Sequence, residues 1–245
     1  MLTTILFDLD GTLAPFQQDE FIRVYFRALL GRLVPLGYDG ARLQEALWKG
    51  VADIAANDGG ACNRDVFWRR FCREMGPEAR SLEPVLQEFY AGEFDQVRRV
   101  LREAPDRRPL LEGLRAKGFR LVLATNPIFP RVAVETRLGW VGLRAADFDW
   151  VTTYENSRFC KPNPAYYRDI LARMEVPGDA CLMVGNSPSE DMPAAGAGLS
   201  VYLVTDCLEN PGALPIDGYP HGTFRQLEAY LESLPAVERA VRPGK

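Results

Sequence analysis

The chain has 245 residues, 47% apolar and 25% charged, a composition that excludes a disordered, fibrous or membrane-spanning protein. Twenty-nine basic against 33 acidic side chains leave a net charge of −4, which gives no electrostatic footprint for a polyanion and excludes nucleic acid as a partner. His221 is the one histidine, so multi-histidine metal sites are ruled out, and catalysis must run on carboxylates, hydroxyls, amides or lysine.

Residues 3–9 form a short β-branched and aromatic run that stops at Asp10-Gly11-Thr12, the pattern of a buried strand ending in a turn. From Phe16 to Leu101 apolar residues recur at three-to-four spacing, as in Phe21, Ile22, Tyr25, Phe26 and Leu29. That spacing predicts about four amphipathic helices, broken at 35–37, 57–60 and 76–77 by glycine and proline. After Pro105 strands and helices alternate. Strands are expected over 119–124, 149–153, 180–184 and 199–204, and helices over 130–138, 165–174, 191–197 and 224–234. This series predicts an α/β fold: a Rossmann-like parallel sheet core formed by residues 1–14 and 106–245, interrupted by a helical insertion over 15–105. Residues 239–245 read as a loose tail. The five cysteines are scattered without C-x-x-C spacing and read as reduced, mostly buried thiols. With no signal-peptide pattern at the N-terminus, the expected location is cytoplasmic.

Four segments fall just past predicted strands, where α/β sheets bind ligands. In Asp8-Leu9-Asp10-Gly11-Thr12-Leu13 two carboxylates converge on one small volume, which calls for a cation between them or a proton on one. Thr125 follows Leu121-Val122-Leu123-Ala124. Lys161 precedes Pro162, and it is one of four lysines among the 29 basic residues, in a chain that otherwise uses arginine. Gly185-Asn186-Ser187 follows the fourth strand, with Glu190 and Asp191 downstream.

In this order the segments resemble the four motifs of the haloacid dehalogenase (HAD) superfamily, and the helical insertion matches in position a C1-type cap between motifs one and two. The resemblance implies a Mg²⁺-dependent phosphatase acting on a small phosphorylated metabolite. Asp8 is then the nucleophile, forming an aspartyl-phosphate, and Asp10 the general acid and base. Thr125, Asn126 and Lys161 bind the phosphoryl oxygens. Asp8, the Asp10 backbone carbonyl, Asn186 and Asp191 are the implied metal-coordinating set.

One departure stands out: Asn186 lies where the commonest pattern has aspartate, so the metal site loses a negative charge that Asp191, with Glu190, must make up directly or through water. The insertion is expected to close over the site, with Arg23, Arg27, Trp48, Arg69 and Arg70 as candidate substrate contacts. A phosphomutase of the same superfamily, or a non-catalytic phosphoester-binding module, would keep the same motifs. Dehalogenase and phosphonatase chemistry fit less well because Asp10 is present. A monomer or a homodimer is compatible with all of these readings.

Overall fold

The computed structural model describes residues 1–101 and 103–238, so the tail expected over 239–245 lies outside the described residues. Six parallel strands form one sheet: β1 (Thr4–Phe7), β2 (Arg120–Leu123), β3 (Trp150–Val151), β4 (Cys181–Gly185), β5 (Ser200–Val204) and β6 (His221–Gly222). Their spatial order is β3-β2-β1-β4-β5-β6. The order reverses between β1 and β4, which pair in register from Thr4 opposite Cys181 to Phe7 opposite Val184. A crevice opens beyond the carboxyl ends of strands at such a reversal, and ligands bind there in open α/β sheets.

The strands are continuous apolar runs because both faces of the sheet are covered. Successive side chains point to opposite faces. Ile5 and Phe7 accordingly join one apolar cluster, while Leu6 joins another with Val122, Tyr167 and Met183. The expected strands are all present; the one over 180–184 is shifted by one residue to Cys181–Gly185 and the others are shorter. The run over 3–9 gives a strand only from Thr4 to Phe7, with the Asp8 amide still donating to the Val184 carbonyl at 2.8 Å before the chain turns, and the run over 149–153 gives two residues. The segment at 191–197 is a 3-10 helix over Met192–Ala197, with Pro193 in its first turn and Gly198 in left-handed φ ending it. Helix α5 (Arg108–Ala116) and the edge strand β6, which begins at the exposed His221, were not foreseen. Cys160 and Cys181 are buried, but Cys62, Cys72 and Cys207 are only half-buried, against the expectation of mostly buried thiols. Among the described residues no helix is long and apolar enough to cross a membrane.

Between β1 and α5, among the described residues, run four α-helices, α1 (Gln18–Leu33), α2 (Gly40–Ala55), α3 (Asn63–Met75) and α4 (Leu82–Ala91), then a 3-10 segment over Glu93–Val100. Gly37, Gly59 and Gly76 take left-handed φ at the three expected breaks. These helices pack on α6 (Arg131–Trp140): Trp140 Nε1 donates to Asp95 Oδ1 at 2.9 Å and Thr136 Oγ1 to the Tyr90 carbonyl at 2.9 Å. The apolar cluster beneath the sheet is therefore continuous from Ile5 and Phe7 into Phe21, Phe89 and Phe94 of the helical region. On the opposite side of the crevice, buried Asn63 ties the start of α3 to the loops that follow the strands. Its side-chain amide donates to the Pro127 carbonyl at 3.1 Å and its backbone amide to the Ser157 carbonyl at 2.9 Å. Helices α7 (Pro164–Met174) and α8 (Phe224–Ser233) complete the layers.

Candidate active site

One cavity of about 100 Å³ at the carboxyl ends of β1, β2 and β4 is lined by Asp8, Asp10, Thr125, Asn126, Asn186, Ser187, Glu190 and Asp191, together with Gln18, Ile128, Phe129 and Glu209. Lys161 reaches it through Asp8. Its Nζ donates to Asp8 Oδ1 at 2.7 Å and to Asp191 Oδ1 at 2.6 Å, and all three residues are buried. All seven residues picked out in sequence thus gather at one point, drawn from four loops that run in sequence from Asp8 to Asp191.

Each loop has a local reason for its path. Gly11 takes φ +76°, and a side chain there would run into the Asn186 amide; Thr12 Oγ1 next to it donates to Asn186 Oδ1 at 3.2 Å. Gly185 ends β4 where a side chain would collide with the carboxylate of Asp191. Asp191 Oδ2 accepts from the Ser187 backbone amide at 2.9 Å, so both its oxygens are engaged and it ties the β4 loop to Lys161. Thr125 is held from behind, its carbonyl accepting from Thr152 Oγ1 at 2.7 Å and from Tyr166 Oη at 2.9 Å.

Burial pushes the Asp8 carboxyl up to about 8; Lys161 pulls it down, and Asp191 and Asp10 push it further up. Burial also works against the charge on Lys161, but Asp191 and Asp8 outweigh it and hold the ammonium well above the ordinary lysine range. The lysine is therefore a fixed positive charge set against the carboxylates.

Asp10 has a different partner. Its Oδ2 accepts from Arg137 Nη1, a fully buried guanidinium on α6 that also donates to the Ala133 carbonyl and lies over the Phe129 ring at 4.3 Å. Burial raises the Asp10 carboxyl above the ordinary aspartate range, with Arg137 opposing. Among the described residues three buried polar atoms here lack a hydrogen-bond partner: Asp10 Oδ1, Asn126 Oδ1 and Arg137 Nη2.

Sequence reasoning did not single out Arg137, Glu209 or Gln18. A signal for Arg137 was present, because it falls on the apolar stripe of α6 with Ala133, Val134 and Leu138, where an unpaired charge is costly. Glu209 carried none, lying in an irregular loop after β5. Of the candidate substrate contacts, Arg23, Arg27 and Arg69 are exposed and Arg70 pairs with Glu74 at 3.2 Å, so only Trp48 faces a cavity near the site.

The donors around the cavity are oxygens of carboxylates and amides, the hard set that suits Mg²⁺, and the unpartnered Asp10 Oδ1 and Asn126 Oδ1 leave acceptor capacity unused. Among the described residues no three His, Cys, Asp or Glu side chains stand close enough to hold a metal ion by themselves. Mg²⁺ does not need such a cage, since it keeps several waters and binds through one or two carboxylates plus substrate phosphate.

A parallel sheet of this order with this cluster at its reversal point defines an α/β protein whose candidate site is built on paired aspartates. The chain belongs to the haloacid dehalogenase-like hydrolases, whose family model matches residues 2–198. It is 28% identical over 206 residues to glyceraldehyde 3-phosphate phosphatase of Methanothermobacter thermautotrophicus, covering 83% of this chain and 86% of that one. Among solved structures it resembles a HAD phosphatase from Thermococcus onnurineus, with a TM-score of 0.59 at 22% identity over 96% of this chain and 100% of the other. It also resembles a 2-haloacid dehalogenase from Pseudomonas syringae pv. Tomato, with a TM-score of 0.58 at 24% identity over 94% of this chain and 98% of the other. The fold is thus shared by phosphatase and dehalogenase alike, and the chemistry has to be read from the site.

Proposed function

We propose that the protein is a Mg²⁺-dependent phosphatase that hydrolyses a small phosphomonoester through a phosphorylated Asp8. The observation that carries this reading is the pairing of Asp8 with Lys161 and of Asp10 with Arg137 around one cavity. A haloacid dehalogenation displaces halide from carbon and needs no proton for its leaving group. Phosphoester cleavage does, and Asp10 is the group placed to supply it.

An Asp8 carboxylate oxygen attacks phosphorus in line, and the bond from phosphorus to the ester oxygen breaks. Asp10, whose carboxyl burial keeps inclined to hold a proton, gives that proton to the leaving alkoxide from Oδ1, the oxygen Arg137 does not occupy. Water then attacks phosphorus and Asp10 takes its proton back, which frees phosphate and restores the Asp8 carboxylate. Lys161 and the Thr125 hydroxyl stabilise charge on the phosphoryl oxygens, and Asn126, held by Glu190 Oε2 at 3.1 Å, offers a further polar group beside them. Asp8, the Asp10 carbonyl and Asn186 are the groups that would hold Mg²⁺, while Asp191, with both oxygens engaged, orients Lys161 and the β4 loop. When bound, the metal offsets the repulsion between the Asp8 carboxylate and the phosphate. The helical region over 15–105 serves as the cap that excludes water and contacts the leaving group, and the protein works in the cytoplasm.

Purified protein with Mg²⁺ should release phosphate from p-nitrophenyl phosphate, and Asp8→Asn should abolish the release. Equal activity in the variant would remove Asp8 as nucleophile.

A further inference from the structure

The roof of the site carries a second cavity of about 100 Å³, walled by Phe21, Tyr25, Phe26, Trp48, Phe67 and Leu86 of the helical region. It adjoins the catalytic cavity through shared walls, because Gln18, Ile128 and Phe129 line both. Among the described residues no lysine, arginine or histidine lines it. Its one carboxylate, Glu83, is already paired with Arg64 at 2.7 Å and Arg80 at 3.0 Å. Two of its tyrosine hydroxyls, those of Tyr25 and Tyr90, are spent on each other at 2.6 Å. The remaining polar groups, the Gln18 and Gln87 amides, the Tyr154 hydroxyl and the unpartnered Trp68 Nε1, carry no charge, so a second phosphate or a carboxylate would be desolvated here with no cation to replace water. An apolar group would be gripped by aromatic faces, and apolar cavities of roughly 150 Å³ are known to take up benzene.

Building on the phosphatase reading, we infer that the substrate is a phosphomonoester of an apolar alcohol, with an alkyl or small aromatic leaving group of roughly four to six carbons seated in this roof cavity. The phosphate sits among Asp8, Thr125 and Lys161, and the ester oxygen passes beside Phe129 into the roof. This is a different substrate chemistry from the glyceraldehyde 3-phosphate for which the Methanothermobacter relative is named.

The test is a series of n-alkyl phosphates from methyl to pentyl, with glycerol phosphate as a polar ester of similar length. In the wild-type protein kcat/KM should rise about fourfold per methylene, the value of one buried CH₂, and glycerol phosphate should fall near the methyl ester. Calorimetric titration with the matching alkylphosphonates, which are not hydrolysed, should show the same gradient in Kd. Trp48 sits at the half-open rim, so Trp48→Ala should leave the fold intact and flatten both gradients. Should methyl, pentyl and glycerol phosphates turn over at one rate with flat phosphonate affinities, the roof inference falls while the phosphatase reading stands. Should no ester in the series, nor p-nitrophenyl phosphate, be hydrolysed at all, both fall together.

Discussion

The floor of the site and its roof are made of opposite materials. On the floor, side chains buried nearly as deeply as any in the core are charged: Asp8, Lys161, Asp191 and Arg137. In the roof, which shares Gln18, Ile128 and Phe129 with the floor, almost everything facing the cavity is aromatic or aliphatic. Burying charge is unfavourable unless every charge has a partner, and on the floor the partners are in place, with Lys161 between two carboxylates and Arg137 on a third. Such an arrangement specifies a reaction, because its groups must act on a phosphoryl group whatever alcohol it carries. The roof specifies a leaving group and takes no part in proton or phosphoryl transfer. Floor substitutions should therefore slow every ester alike, and roof substitutions should discriminate among them.

The largest effect expected on the floor is that of Asp8→Asn, a loss of roughly 10⁴-fold or more in kcat for all esters. A loss confined to long-chain esters would break the division between floor and roof. Lys161→Met comes next, with a loss of about 10³-fold. It should also cost roughly 3–5 kcal/mol of stability, because the buried carboxylate of Asp191 then loses its cationic partner. Urea titration beside steady-state kinetics reads both. Arg137→Leu should lower kcat about 100-fold with little change in KM, since it frees Asp10 from its position without touching the phosphate-binding groups. An unchanged kcat would make the pair structural only.

Asn186→Asp should have a milder effect. Asn186 Nδ2 donates to the Cys207 carbonyl at 2.7 Å, and a carboxylate cannot, so the variant should lose about 1–3 kcal/mol in the presence of chelator. Calorimetry should show tighter Mg²⁺ binding, and a weaker affinity would mean the amide hydrogen bond matters more than charge at that position.

The smallest effect concerns pH. The Asp8 carboxyl is raised to about 8 in the folded chain by burial. Its contribution to stability is therefore full below the ordinary aspartate value of about 4 and is lost as pH rises through about 8. Asp8→Asn should accordingly raise the Tm of metal-free protein by a few degrees at pH 8 and much less at pH 4, as read by scanning calorimetry.

The same contrast governs what could be read from the sequence. Floor residues sit in short segments directly after strands, and strands announce themselves by runs such as Thr4-Ile5-Leu6-Phe7, so Asp8, Thr125 and Asn186 could be placed without coordinates. Arg137 could not be paired with Asp10, because they are 127 positions apart and only the packing of α6 against the crevice joins them. The roof was legible as helices but not as a pocket. The apolar spacing that gives Phe21, Tyr25 and Leu47 is the same whether a residue fills the core or faces a cavity. The short span of β3 and the 3-10 helix over 192–197 escaped for a related reason: apolar runs give no warning of where a ladder or a helix stops.

The account rests on a covalent bond between Asp8 and phosphorus. A single turnover in ¹⁸O-labelled water, followed by mass spectrometry of the peptide containing Asp8, tests it most directly. Phosphoryl trapped on that carboxylate by rapid acid quench, with the label recovered in released phosphate, is the expected result. Steady phosphate release with Asp8 never modified at any quench time would contradict it.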